Sequence, residues 1–243
     1  MTTSTDSAGP VPAEDEVSSR RRLRLVPVAL AVAVLALLGG LVLGRGMEAA
    51  AAGTADVQDA VSLGFLRDMG THHAQAVRMS EIVHRRSSDP ALNYLAFDIM
   101  STQQGQIGIM TGWLDLSREP QSATGPVMAW MGHSGPMPGM ATDTEIEALD
   151  TLPVPQLEVQ YLRLMIEHHR GALGMAQYAV DRAGSPDVAR LAEGMLTGQA
   201  AEIALMERML AERGAAVPDA TTSGHTNAPG ATPAPAASSH DGH

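Results

Sequence analysis

The sequence predicts an all-α protein: a four-helix bundle made of two repeated helical hairpins, preceded by one transmembrane helix. Three observations carry this expectation. The 243 residues are 44% hydrophobic but only 3% aromatic. Ala, Leu, Val and Met must therefore fill the core, which favours helices over an aromatic-rich sandwich. An internal repeat lies at a fixed offset of 96 residues, with 15 identities among the 50 positions from 65 to 114, enough to imply two copies of one structural unit. A single uncharged stretch, Leu25 to Gly44, has about the 20 residues needed to cross a bilayer. No segment shows convincing strand alternation.

Residues 1–24 read as a disordered cytoplasmic tail that ends in Arg20, Arg21, Arg22 and Arg24. That basic cluster precedes the apolar run at 25–44, so the positive-inside rule keeps the N-terminus in the cytoplasm and exports the rest. The expected location is the cell membrane, single-pass, with the domain extracytoplasmic. The alternative is a cleaved signal sequence and a secreted or periplasmic product, because Ala49 to Ala52 supply small residues for a protease. The length of the leader, and Arg45 and Glu48 just after the run, favour an uncleaved anchor. Residues 45–56 are a linker.

The first hairpin is expected over 57–117. Val61, Phe65, Met69, Ala76 and Val83 recur at three- and four-residue spacing, and Asp89-Pro90 then gives an N-cap with Pro at the first helical position. The next helix runs to about Leu116. Residues 118–150, rich in Gly, Pro, Thr and Ser, read as a long loop. The second hairpin covers 151–213, with Ser185-Pro186 repeating the cap and Gly214 stopping the last helix. The tail 214–243, which carries His225, His240 and His243, reads as disordered.

The net charge is −11, and all 16 basic residues are Arg, against 27 acidic ones. This balance argues against nucleic acid as a partner. The absence of cysteine excludes disulfide scaffolds, thiolate zinc sites, iron–sulfur clusters and thiol nucleophiles. What stands out is 15 Met and nine His.

On a helical wheel Met69, His72, His73, Ala76 and Met79 share an arc of about 120°, with Phe65 and Val83. Met165, His168, His169, Ala172 and Met175 repeat that arc. Each unit thus directs two imidazoles and two thioethers along its inward stripe. A single Met at helical spacing is ordinarily core filler, and a lone His on an apolar face is ordinarily a hydrogen-bonded core residue. Two His-His pairs, each with Met at −3 from its first His and at +6 from its second, point instead to a metal. Four imidazoles are costly to bury without partners, and a metal is an efficient one. Imidazole with thioether selects Cu(I) over Mg, Ca or Mn. A di-iron bundle would need Glu-x-x-His twice, and only Glu81 with His84 matches.

A second signal lies in the central loop, where Met128, Trp130, Met131, His133, Met137 and Met140 crowd between Gly and Pro. Gly132, Gly135, Pro136, Pro138 and Gly139 speak against a helix there. The segment is either a flexible Met/His copper site or a hydrophobic lid lying on the bundle.

These residues resemble the CopM-like family, catalogued as a domain of unknown function. Its pattern is Phe-Leu-x-x-Met-x-x-His-His-x-x-Ala-x-x-Met, then Gln-x-x-Glu-Ile-x-x-Met-x-x-Trp-Leu. The first half appears as Phe65-Leu66, Met69, His72-His73, Ala76 and Met79, and again as Tyr161-Leu162, Met165, His168-His169, Ala172 and Met175. The second half appears as Gln103, Gln106-Ile107, Met110 and Trp113-Leu114, then as Gln199, Glu202-Ile203, Met206 and Met209-Leu210. Departures are Tyr161 for Phe, Gln106 for Glu and Met209 for Trp. The resemblance implies a ferritin-like four-helix bundle in the periplasm or at the cell surface. It also implies a link to copper binding and resistance, which some members have.

The expected function is a membrane-anchored, extracytoplasmic copper-binding protein that sequesters Cu(I) or passes it to a copper exporter or another copper protein. The ligands would be His72, His73, His168 and His169, with Met69, Met79, Met165 and Met175; Met128, Met131, His133, Met137 and Met140 would capture or release the ion. No acid–base pair or nucleophile arrangement points to an enzyme. The competing classes are an exported structural or signalling bundle without metal, and a metal-dependent redox enzyme.

Overall fold

The computed structural model describes residues 57–123 and 125–219. The expected cytoplasmic tail, membrane span and linker, and the histidines of the C-terminal tail, lie outside the described residues. Among those described, no helix is long and apolar enough to cross a membrane.

Five helices and no strand form the described chain: α1 (Ala60–Arg86), α2 (Pro90–Leu116), α3 (Asp143–Thr151), α4 (Val154–Arg182) and α5 (Pro186–Glu212). Their ends follow from local chemistry. Asp59 caps α1 by accepting from the Ser62 N–H at 2.9 Å, and His84, Arg85 and Arg86 sit at the negative end of its dipole. Asp89 caps α2 by accepting from the Ala91 N–H at 2.8 Å, with Pro90 in the first turn. Ser185 stands at the equivalent start of α5, but its side chain makes no capping bond, contrary to expectation. Its N–H instead donates to Ser62 Oγ at 3.3 Å and ties the second hairpin turn to α1.

The expected loop over 118–150 is corrected in two places. Asp143–Thr151 is helical, started by a capping box in which Glu145 and Thr142 bond each other's backbone N–H. Ala129–Met131 form a single 3₁₀ turn in the segment whose Gly and Pro spoke against a helix. The segment from about 120 to 142, whose described residues run through turns and bends on either side of that 3₁₀ turn, is called the strap below.

The four long helices form a bundle. α1 packs on α2, α4 packs on α5, and the two hairpins meet mainly along α1 and α4. The ends of the hairpins are tied by polar contacts. Arg213 reaches Asp89 at 2.5 Å and Glu158 at 3.4 Å, and the Ser87 hydroxyl donates to Glu158 at 2.6 Å. Two apolar clusters fill the interior. One gathers Phe65, Met69, Met110, Met128 and Met175 toward the start of α1. The other gathers Met79, Tyr161, Met165 and Met206 toward its end. Burying each such side chain stabilises the fold by roughly 1.5–3 kcal/mol before entropy is counted.

Candidate metal centre

Between the two apolar clusters lies a belt of buried polar side chains: His72, His73, Gln103, Gln106, His168, His169, Gln199 and Glu202. They are level because the repeats run antiparallel, so equivalent residues meet about a local twofold axis. The His72 and His168 rings stack there, centroids 3.8 Å apart and tilted by 41°.

Each ring is oriented through Nε2. His72 Nε2–H donates to the Pro138 carbonyl at 2.9 Å, and His168 Nε2–H donates to the His72 carbonyl at 3.0 Å. His73 donates to Gln106 Oε1 at 2.7 Å and His169 to Glu202 Oε2 at 2.6 Å. A carbonyl or carboxylate oxygen accepts here, so in each contact Nε2 carries a proton. All four Nδ1 atoms are buried and without a hydrogen-bond partner. Burial pushes the His72 ring down to about 4 and the His73 ring to about 3, and holds His168 well below its usual range, so these three are neutral bases at pH 7.

Four buried Nδ1 atoms without a partner, three of them on neutral rings and so carrying a lone pair, are a cost that native folds rarely bear without a purpose. An imidazole whose other nitrogen donates to a carbonyl or carboxylate is the usual arrangement of a metal ligand. Among the described residues no group of three or more His, Asp or Glu could hold one ion. Methionine sulfur is the soft donor nearest to the belt in sequence and in packing. Met69, Met110 and Met175 lie in one apolar cluster, and Met79, Met165 and Met206 in the other. The fully buried Met69, Met79, Met165 and Met175 are thus core residues that flank the imidazole belt on both sides. Neutral imidazole plus thioether suits a soft monovalent cation such as Cu(I).

The strap closes over α1 and α4. Asp68, 5% exposed, accepts through Oδ2 from the Met128 N–H and from Trp130 Nε1–H, both at 2.8 Å. Gln75 holds Ala141 at both backbone atoms, 2.7 Å to its N–H and 2.9 Å to its carbonyl. With His72 on Pro138, the three anchors sit at i, i+4 and i+7 on one face of α1. Trp130 packs edge-on between Phe65, at 5.9 Å, and Tyr178, at 5.5 Å, directly over Gly64. Gly139 has φ +75°, and a Cβ there would strike the Glu167 carbonyl; a Cβ on Gly171 would strike the Pro138 carbonyl.

The strap residues singled out in the sequence fall in different places. Met128 is fully buried, and Met131 and Met137 pack half-buried against the same apolar cluster. Met140 is half-buried, and His133 is exposed. Sequence reasoning did not assign Asp68, Gln75, or the ring partners Gln106 and Glu202, nor Met110 and Met206 as candidate donors. The repeat does mark two of them, since Asp68 and Gln75 stand where the second copy has Leu164 and Gly171.

The model of one family, Domain of unknown function (DUF305), matches residues 62–210 and so takes in both hairpins and the strap. The chain belongs to the DUF305 family. A DUF305 protein of Streptomyces coelicolor is 50% identical, with a TM-score of 0.64, over 66% of this chain and 98% of its own. A DUF305 fragment from Deinococcus radiodurans is 35% identical, with a TM-score of 0.55, over 63% of this chain and 97% of its own. CopM, solved in a Cu(I)-bound form, is 25% identical, with a TM-score of 0.48, over 62% of this chain and 96% of its own. Uncharacterized protein L153 of Acanthamoeba polyphaga mimivirus is 39% identical over 51 residues, which are 21% of this chain and 34% of that protein.

Proposed function

We propose that this DUF305 domain binds Cu(I) in the imidazole belt, with no more than two of His72, His73, His168 and His169 ligating any one ion through Nδ1 and the flanking Met69, Met79, Met165 and Met175 supplying thioether sulfur. The observation that carries this reading is the set of four buried Nδ1 atoms with no partner. The protein holds the ion rather than transforming it, in an extracytoplasmic position set by the apolar run at 25–44. It passes the ion on by ligand exchange, to an exporter or another copper protein. In this reading the strap is the cover of the site. Met131, Met137 and Met140 along it, with the exposed His133, offer soft donors on the way in, and Met128 sits beneath them.

The test is a Cu(I) titration of the full chain in detergent against a colorimetric chelator, with the quadruple His→Ala variant in parallel. The expected result is affinity tighter than about micromolar, roughly −8 kcal/mol, lost in a variant that still melts cooperatively. Affinity that survives the variant places the ion on the strap or the tail instead. No competition by the wild type leaves an exported bundle without metal as the better account.

A further inference from the structure

His73 and His169 occupy equivalent positions of the two repeats, and each donates through Nε2 to the residue 33 positions later. Both partners are buried, Gln106 at 6% exposed and Glu202 at 7%. The two pairs thus share one geometry and one dry environment, and differ by a single charge. Gln106 offers a neutral amide oxygen; Glu202 offers a carboxylate. The field of Glu202 is felt nearby: with burial, it holds the Asp98 carboxyl up to about 6, and it adds to the burial that raises the Tyr161 hydroxyl.

An acceptor on one ring nitrogen fixes the ring's direction and raises the basicity of the other nitrogen, and a charged carboxylate raises it more than a neutral amide does. The carboxylate's negative charge also offsets a cation bound on the far side of the ring, an effect that is large where water is excluded. We infer that Glu202 makes the His169 end of the belt the high-affinity end, and that Gln106 leaves the His73 end weak. Copper then loads at the second repeat first, an order written in one glutamine-for-glutamate difference between the copies. This ordering rests on the Cu(I) reading above.

The experiment uses the full chain, ¹⁵N-labelled, in detergent micelles, titrated anaerobically with Cu(I) while the imidazole ¹⁵N shifts are followed. In the wild type the Nδ1 of His169 is expected to move below one equivalent and that of His73 only later. Glu202→Gln keeps the size and an acceptor oxygen, so orientation survives while the charge is lost. It should weaken the tight step by about 10–100-fold in chelator competition. Gln106→Glu should strengthen binding at His73 and bring the two steps together. The doubly exchanged protein should invert the order, a result that a merely structural role of either residue would not give. Simultaneous movement of His73 and His169 in the wild type, or Gln106→Glu without effect on His73, overturns the inference while leaving copper binding intact. If no ring responds at all and the chelator keeps the copper, the Cu(I) reading falls and takes the ordering with it.

Discussion

Trp130 donates its indole N–H to Asp68 at 2.8 Å, and the same carboxylate oxygen takes the Met128 amide at 2.8 Å. One buried carboxylate on α1 therefore fixes the position of the whole strap start. Replacing Asp68 by Leu, the residue at the equivalent place in the second copy, leaves two donors without a partner. The expected cost is about 1–3 kcal/mol. Urea unfolding would show it, and hydrogen exchange at Met128 should rise while the centres of α1 and α4 stay protected. Unchanged exchange at Met128 would mean that apolar packing alone holds the strap.

Gly171→Ala tests the crossing of the strap over α4. The added Cβ meets the Pro138 carbonyl, which is the acceptor for His72. The strap must lift, the His72 Nε2–H loses its partner, and a fall in Tm of several degrees is expected, corresponding to about 1–3 kcal/mol. A crystal structure of the variant with the Pro138 to His72 bond intact would contradict this.

The copper-free fold should weaken on acidification. In the unfolded chain the rings of His72, His73 and His168 take up protons near pH 6.5, whereas in the fold burial holds the first two near 4 and 3 and the third well down. Below pH 6.5 the unfolded state binds more protons, so stability is lost as pH falls toward 4, by roughly 1.4 kcal/mol per pH unit for each ring. Asp98 opposes this, because burial and Glu202 raise its carboxyl from 3.8 to about 6 and the fold then gains from its protonation. With three groups against one, the urea midpoint should drop between pH 7 and pH 5. A flat or rising midpoint would refute the neutral buried rings.

Met→Leu exchange separates packing from ligation. At Met69, Met79, Met165 and Met175, all fully buried, leucine conserves volume and should cost under about 1.5 kcal/mol each. Cu(I) affinity should nevertheless fall by at least tenfold in the quadruple variant. Equal affinity in a stable variant would return these residues to the role of core filler.

Much of the bundle was legible because Met69, His72, His73 and Met79 recur in register at Met165, His168, His169 and Met175, and a repeat reports itself without knowledge of contacts. The helix at Asp143–Thr151 was missed although Thr142 and Glu145 spell a capping box, because the surrounding Gly and Pro dominated the composition. Asp68 and Gln75 were missed for a different reason. Their partners are backbone atoms and one indole N–H, 60 to 66 residues away, which no local pattern encodes. Met128, Met131 and Met137 of the strap pack on the core, a position open to both a lid and a site that takes up an ion.

The four rings differ in how easily mutation can retune them. His72 and His168 are aimed by main-chain oxygens, of Pro138 and of His72 itself. No codon change deletes a main-chain carbonyl, so this stacked pair is a fixed part of the architecture for as long as the chain folds. His73 and His169 are aimed by side chains, and a single base change converts Gln to Glu or back. On the copper reading proposed above, a lineage that carries this bundle would adjust its grip on the ion at two rings while the other two hold the frame.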